Sequence, residues 1–131
     1  EIRVCGPGNL LPGEDVLRGC RVFSDFDQAV AGVDAAIMLR LQRERMDEGL
    51  VPSLEGYYRD YGLSPARIAL AAPDALVMHP GPMNRGVEID SEVADMEGRS
   101  LITRQVEMGV AIRMACLDIL TRETRGVEGW A

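Results

Sequence analysis

Two short apolar runs constrain the fold of this chain more than any other feature. Residues 35–39 and 75–78 are apolar throughout, and polar or turn-forming residues follow each run at once. Apolar runs of this length, without polar alternation, are typical of strands that are buried on both faces of a parallel sheet. We therefore predict a buried strand at each run, in a parallel α/β sheet.

The other predicted elements come from capping residues and short apolar segments. Two of the helices begin at a Ser or Asp whose side chain can accept a hydrogen bond from the first turn. The elements are strands at 2–5 and 21–23, a short helical or irregular piece at 14–18, a helix between Ser24-Asp25 and Gly32, a mobile or irregular loop from 42 followed by a helix at 54–61, and a helix at 66–71 that Ser64 and Pro65 start. Strands and helices alternate, which predicts a doubly wound α/β fold with a mostly parallel sheet flanked by helices.

A long helix is predicted over residues 100–122, after an acidic segment at 87–98 with few regular signals. Its apolar residues form two stripes at helical spacing. The first stripe contains Ile102, Val106, Val110, Leu117 and Leu120, and the second Met108, Ile112, Ala115 and Ile119. Two stripes predict burial on two sides, either as a central core helix or as a helix that bridges two bodies. The tail at 126–131 is predicted to be frayed.

Length and charge exclude several classes of protein. With 131 residues and 47% apolar residues, the chain is predicted to form one domain with an ample core. Its net charge of −7 argues against binding to nucleic acid or to an anionic membrane. The densest basic cluster is Arg40, Arg43 and Arg45, and it does not continue.

The cysteines indicate neither a metal site nor a disulfide framework. Cys5, Cys20 and Cys116 lie far apart, with no C-x-x-C or Cys/His spacing. Reduced thiols in the cytoplasm are therefore expected. No stretch has the length of a membrane span, and the first residues lack the features of a signal peptide and resemble the middle of a protein.

A Pro/Gly turn follows the apolar run at 75–78. Pro80 and Pro82 have no N–H group, whereas the carbonyls around them still need partners, so the turn presents acceptors with few competing donors. Gly81 permits close approach of a ligand, and the bond from Gly81 to Pro82 can be cis. The alternative is a stiff surface turn without a ligand.

Arg40 and Gln42 follow the apolar run at 35–39. The planar guanidinium of Arg40 suits bidentate binding of a carboxylate or phosphate, and Gln42 points the same way if strand geometry continues. Together they could hold an amino-acid carboxylate. If both strands are parallel, these residues and the Pro/Gly turn lie at one edge of the sheet, where ligands bind in such folds. The alternative is that Arg40 pairs with an acid such as Glu44 or Glu88.

His79 is the single histidine of the chain, so any relay to a nucleophile would pass through it. No nucleophile motif such as G-x-S-x-G accompanies it. Its alternatives are a structural role at the strand end and a catalytic role.

Residues 38–46 and 79–89 resemble the two signatures of the second domain of the aspartate carbamoyltransferases. Gly6-Pro7, the apolar segment 10–12 and the long last helix are similar to the same family in the same order, so the resemblance covers nearly the whole chain. The Pro/Gly turn is specific, because the related ornithine carbamoyltransferases carry a Cys-bearing turn in its place. The resemblance implies that residues 1–131 form an aspartate-binding domain.

Roles for four residues are implied by this resemblance. Arg40 and Gln42 match positions that bind the substrate L-aspartate, Arg40 through a carboxylate. Gly81 and Pro82 match positions whose main-chain carbonyls accept from the carbamoyl NH2 of carbamoyl phosphate, across a bond that is cis in the family. The stretch 45–61 resembles a mobile loop that closes on aspartate. The family's catalytic histidine lies in the other domain, so no catalytic residue, metal or organic cofactor is implied here.

The chain departs from the family by what it does not contain. The first domain, with its Ser-Thr-Arg-Thr phosphate-binding motif, and the opening strand and helix of the second domain are absent, so the domain is expected to be incomplete at its N-terminal edge and inactive alone. In the family, the intact enzyme is a cytoplasmic homotrimer of catalytic chains in pyrimidine biosynthesis. Two alternatives remain: a non-catalytic assembly module with this fold, and a carbamoyltransferase for another amino acid.

Overall fold

The structure is a computed structural model that describes residues 1–42 and 53–125, with side chains described as far as residue 122. Four strands, five α-helices and one 3-10 turn form in these ranges. In chain order they are β1 (Ile2–Cys5), the 3-10 turn (Gly8–Leu10), β2 (Cys20–Phe23), α1 (Phe26–Val30), β3 (Ala35–Ile37), α2 (Leu54–Tyr61), α3 (Pro65–Ile68), β4 (Leu76–Met78), α4 (Ser91–Ala94) and α5 (Ile102–Arg125).

The strands pair in parallel, as predicted. β1 pairs with β2 in a register that sets Ile2 opposite Cys20. β3 pairs with β4, with Ala35 opposite Leu76 and Ile37 opposite Met78. Within the described residues these are two separate two-stranded sheets, and helices flank them. The predicted α/β class with parallel strands is confirmed.

Side-chain caps begin three helices. Asp25 accepts a hydrogen bond from the Gln28 N–H at the start of α1. Ser53 does the same for α2, and Ser64 for α3, where Pro65 occupies the first helical position. The caps predicted at residues 25 and 64 are confirmed, because a short polar side chain at this position satisfies an N–H group that the helix leaves unpaired.

The core lies around β4. Val77 at the centre of this strand is fully buried, and apolar residues from the segments beside it pack against it. The core cluster is Val30, Ala36, Met38, Leu63, Ile68, Ala71, Ala75, Val77, Ile89, Val93, Ala94 and Ile102. The core therefore includes residues of both β3 and β4.

The prediction that residues 35–39 are buried on both faces is wrong. Ala36 and Met38 are buried, but Ile37 is 58% exposed and Leu39 is 65% exposed. The reason is that no described residues pair with β3 on its side toward β1, where a cavity of about 550 Å³ lies between the two sheets. Ile37 and Leu39 line this cavity.

Some element boundaries also differ from the predictions. The acidic segment at 87–98 contains the short helix α4, which was not predicted and which begins without a side-chain cap. The strands at 35–39 and 75–78 and the helix at 66–71 are shorter than predicted, and residues 14–18 form turns. The predicted loop between residues 43 and 52 and the frayed tail at 126–131 lie outside the described residues.

The long helix α5 is not a core helix, so that alternative is wrong. Ile102 at its start is buried, but the apolar side chains that follow are exposed. Two exposed apolar faces of α5 result: Val106, Val110, Met114, Leu117 and Leu120 lie on one side of the helix, and Met108, Ile112 and Ile119 on the other. In the ranges described, no helix has both the length and the apolar character that crossing a membrane requires.

Candidate functional site

Parallel pairing of β3 with β4 brings together the two segments that the sequence singled out. Ile37 lies opposite Met78, and the Met38 N–H donates to the Met78 carbonyl over 2.9 Å. Both strands therefore end at the same edge of the sheet. The Arg40 to Gln42 segment leaves from one strand and the Pro/Gly turn from the other, which is the arrangement in which α/β proteins bind ligands.

Asn84 joins these two segments directly. Its side-chain Nδ2 donates to the Leu41 carbonyl over 3.2 Å. Leu41 is buried, with Arg40 half-buried and Gln42 exposed on either side of it. The hydrogen bond fixes the backbone between the two predicted aspartate-binding residues to the turn. No role for Asn84 was predicted from the sequence, although a polar residue two positions after Pro82 was a usable signal.

The turn has a backbone that only glycine adopts easily at its centre. Gly81 has a φ of +65°, and the Gly81–Pro82 peptide bond is cis. A Cβ atom at Gly81 would lie 2.9 Å from Cγ2 of Val106 on α5, closer than real contacts allow. Within residues 1–42 and 53–125, no donor reaches the carbonyls of Gly81 and Pro82. The turn thus presents acceptors, as the sequence predicted.

The His79 ring fixes the backbone of the turn. Its side chain is fully buried, and Nδ1 accepts a hydrogen bond from the Gly81 N–H over 2.9 Å. The His79 N–H donates to Oε1 of Gln105 on α5 over 3.0 Å. This geometry supports a structural role for His79 at the strand end, which is one of its two alternatives.

Glu88 is the second fully buried ionisable residue beside the turn. Its Oε1 accepts from the Asn84 N–H over 2.5 Å and lies 3.3 Å from Nε2 of His79, a close polar contact without good hydrogen-bond alignment. The backbone carbonyl of Glu88 accepts from the Leu63 N–H. From the sequence, Glu88 was predicted only as a possible partner for Arg40, because burial of a carboxylate depends on contacts between distant segments.

Burial controls the charge of His79. Desolvation lowers the pKa of His79, and this effect outweighs the opposing influence of the Glu88 carboxylate. The imidazole is therefore neutral near pH 7. Because Nδ1 accepts from Gly81, the single ring proton lies on Nε2 and faces Glu88.

Metal ligation has no support in the geometry of the described residues. No group of three or more His, Cys, Asp or Glu side chains converges in these ranges. Cys5, Cys20 and Cys116 are free thiols. The cavity between β1 and β3 is lined by neither the predicted aspartate-binding nor the predicted carbamoyl-binding residues, so it is separate from this site.

Comparison with a protein-family model decides the family. Residues 14–120 match the model described as "Aspartate/ornithine carbamoyltransferase, Asp/Orn binding domain". The chain belongs to the aspartate/ornithine carbamoyltransferase family. The matched range contains both segments of the site and most of α5, so the family likeness covers the geometry described above.

Curated relatives in this family are similar to the chain over its whole length. It is 62% identical over 130 residues to the aspartate carbamoyltransferase catalytic subunit of Erythrobacter litoralis, covering 99% of the chain. It is 60% identical over 131 residues to the same subunit of Rhizorhabdus wittichii. The chain spans 38% and 42% of the lengths of these two relatives.

Solved carbamoyltransferase structures share the fold. An aspartate transcarbamoylase from Trypanosoma cruzi, in complex with N-(phosphonacetyl)-L-aspartic acid, superposes with a TM-score of 0.70 at 28% identity, covering 88% of this chain and 38% of that one. The ornithine carbamoyltransferase of Pyrococcus furiosus superposes with a TM-score of 0.76 at 21% identity, covering 90% and 41%. The second likeness supports the fold alone.

Proposed function

We propose that residues 1–131 are the aspartate-binding domain of an aspartate carbamoyltransferase, which transfers the carbamoyl group of carbamoyl phosphate to the amine of L-aspartate. The observation that supports this most is the joined edge of β3 and β4, where Asn84 ties the Arg40 to Gln42 segment to the Gly81–Pro82 turn. Relatives about 60% identical to the chain are named as catalytic subunits for this reaction.

The two substrates would meet at this edge. Arg40 would bind a carboxylate of L-aspartate with its planar guanidinium, and Gln42 would add a neutral donor and acceptor. The Gly81 and Pro82 carbonyls would accept hydrogen bonds from the carbamoyl NH2 group. The positive charge of the Arg40 to Gln42 segment suits the anionic aspartate. The carbonyl acceptors of the Pro/Gly turn suit the amide-like carbamoyl group.

The chemistry then needs little from these residues beyond orientation. The aspartate amine attacks the carbamoyl carbon, a C–N bond forms, the C–O bond to phosphate breaks, and the departing phosphate takes the proton that the amine loses. The products are N-carbamoyl-L-aspartate and phosphate. Holding the two reactants in line makes the step effectively unimolecular, which is catalysis by positioning. Cations that stabilise the departing phosphate would come from outside residues 1–131.

Further polypeptide is therefore part of the proposal. We infer that a carbamoyl-phosphate domain completes the site and covers exposed apolar surface of α5, in a cytoplasmic homotrimer of catalytic chains for pyrimidine biosynthesis. Two observations support a missing body: eight large apolar side chains of α5 are exposed, and an open cavity of about 550 Å³ lies between β1 and β3. Exposed apolar surface of this extent is typical of interfaces. The 131 residues alone should transfer no carbamoyl groups.

The decisive experiment is Arg40→Ala in the intact enzyme, meaning the whole carbamoyltransferase that includes these 131 residues. The KM for aspartate should rise by roughly 100-fold and kcat should fall, because a charge-assisted bidentate contact is lost. The KM for carbamoyl phosphate should change little. Steady-state kinetics with each substrate varied in turn measures both.

Arg18→Ala is the matched control, since Arg18 is an exposed arginine in a turn distant from the site. Unchanged aspartate kinetics in Arg40→Ala would remove the assignment. An acceptor screen on the parent enzyme distinguishes the amino acid, because carbamoylation of ornithine instead of aspartate would support a different branch of the family. An intact protein that binds neither substrate would support a non-catalytic assembly module.

A further inference from the structure

The fully buried pair of His79 and Glu88 has no part in the proposed chemistry, although a buried pair of ionisable side chains costs stability unless its polar atoms are bonded. Neither side chain has any exposed surface, so neither can contact a substrate directly. Their effect on a reaction must pass through the groups that they hold.

On the side of the turn, the group held is the backbone at Gly81. Nδ1 of His79 accepts from the Gly81 N–H, and the Gln105 side chain accepts from the His79 N–H. The histidine is therefore fixed to α5 and in turn fixes the peptide plane that precedes the Gly81 carbonyl. This hydrogen bond restrains the backbone on the N-terminal side of that carbonyl.

On the other side, the group held is Asn84. Oε1 of Glu88 accepts from the Asn84 backbone N–H, while the Asn84 side chain donates to the Leu41 carbonyl. One residue thus transmits the position of a buried carboxylate to the Arg40 to Gln42 segment. The 3.3 Å contact between Nε2 and Oε1 joins the two halves of this network.

We propose that His79, Glu88 and Asn84 are positioning residues, in which His79 sets the Gly81–Pro82 carbonyls for the carbamoyl group and Asn84 sets the Arg40 to Gln42 segment for aspartate. This inference rests on the proposed function. It predicts that the network has two separable arms, each of which affects the KM of a different substrate.

The carbamoyl arm is tested with two substitutions of His79 in the intact enzyme. In His79→Asn the side-chain oxygen lies as many bonds from the backbone as Nδ1 and can still accept from Gly81. In His79→Gln the polar atoms lie at the distance of Nε2, so the bond to Gly81 is lost. The KM for carbamoyl phosphate should stay within about twofold in His79→Asn and rise roughly 5- to 20-fold in His79→Gln.

The aspartate arm is tested with Asn84→Ala, which removes the side-chain bond to Leu41 and keeps the backbone N–H that Glu88 binds. The KM for aspartate should rise roughly 5- to 20-fold, with the KM for carbamoyl phosphate within about twofold. Glu88→Leu should raise both KM values, and Glu88→Gln, which retains an acceptor for Asn84, should restore them in large part. Glu97→Gln, an exposed carboxylate, is the control that should change neither.

A merely structural network would give a different result. All variants would then lose activity in proportion to their loss of thermal stability, and His79→Asn and His79→Gln would not separate the two KM values. That outcome, or unchanged KM values in folded Asn84→Ala, overturns the proposal. If Glu88→Leu does not fold, the two His79 variants and Asn84→Ala still test the proposal.

The failure of this inference can be distinguished from failure of the proposed function. A parent enzyme that does not transfer carbamoyl groups to aspartate contradicts the proposed function itself. An active parent enzyme whose KM values are insensitive to these substitutions contradicts only the positioning roles.

Discussion

The turn after β4 and the helix α5 differ in which side chains are buried: the turn buries ionisable side chains, and α5 exposes apolar ones. Around the turn, two ionisable residues, His79 and Glu88, have no exposed surface. Along α5, large apolar side chains are open to solvent, with Leu120 76% exposed. Both arrangements cost free energy in an isolated domain, by burying polar atoms in one case and hydrating apolar ones in the other.

The difference lies in where the compensation is found. The polar residues of the turn are compensated in part within the described chain: the Gly81 and Asn84 N–H groups bond to them, while Nε2 of His79 and Oε2 of Glu88 have no hydrogen-bond partner among the described residues. Apart from Val106, which lies beside Gly81, the large apolar side chains on the two exposed faces of α5 are not covered by described residues. Most of the polar contacts of the turn are thus made within the described residues, and α5 presents a surface that suits a further body. Substitutions in the two regions should therefore have very different effects on the stability of this chain.

The largest effect is expected at Glu88. Glu88→Ala leaves the buried Asn84 N–H without its acceptor and opens a cavity beside His79, which together should lower the free energy of unfolding by about 3–5 kcal/mol. Urea unfolding of the 131-residue chain measures it. Glu97→Ala, which removes an exposed carboxylate, should change stability by less than about 0.5 kcal/mol. A loss below about 1 kcal/mol at Glu88 would mean that the buried contacts contribute little.

A smaller effect is expected where the turn touches α5. Gly81→Ala should cost about 1–2 kcal/mol for its positive φ, and about 1–3 kcal/mol more for the clash with Val106. Gly86→Ala is the matched control, because Gly86 has a φ of +76° with no atom within 4 Å of an added Cβ. Thermal or urea unfolding of both variants gives the difference.

Val106→Ala then separates the two costs. In Gly81→Ala with Val106→Ala, the clash is relieved while the φ strain remains, so the double variant should show a favourable coupling. Equal losses for Gly81→Ala and Gly86→Ala would show that the contact between the turn and α5 is not tight.

Acid should also weaken the turn before it affects the rest of the chain. The pKa of His79 is lowered by burial, so the unfolded chain takes up a proton more readily than the folded one. Stability is then complete above the unfolded pKa of about 6.5 and falls as pH drops below it, by at most about 1.4 kcal/mol per pH unit. Urea unfolding between pH 7.5 and 5 measures this slope.

His79→Asn should remove that slope, because the substituted side chain does not titrate. The carboxylates of Asp60 and Asp95 pair with Arg59 and Arg85, which lower their pKa values, so their contribution is lost only at more acidic pH. An unchanged slope in His79→Asn would assign the acid sensitivity to other groups.

The smallest effect on stability is expected on α5. Leu120→Lys should change the free energy of unfolding of this chain by less than about 0.5 kcal/mol, since the leucine is already hydrated. The same substitution should reduce self-association of the chain, measured by sedimentation velocity. A large destabilisation would show that α5 is covered in solution, contrary to the described structure.

Local features of the structure could be predicted from the sequence because they depend on neighbouring residues. The caps at Asp25 and Ser64 require only a polar side chain beside the helix start. The helix Leu54–Tyr61 and the strands at the two apolar runs were predicted from the pattern of residues along the chain. The glycine at the centre of the Pro/Gly turn likewise indicated the unusual backbone found there. The four site residues Arg40, Gln42, Gly81 and Pro82 remain predictions, although parallel pairing places their segments side by side.

Only the tertiary structure decided which atoms of these segments meet. Burial of Glu88 against His79 and the bond from Asn84 to Leu41 join residues that are 9 and 43 positions apart. Likewise, the apolar character of Ile37 and Leu39 predicted burial, but burial depends on a neighbour on that side of β3, and there the cavity lies. Sequence determines what each residue can do locally, and the packing of distant segments determines which of those contacts are made.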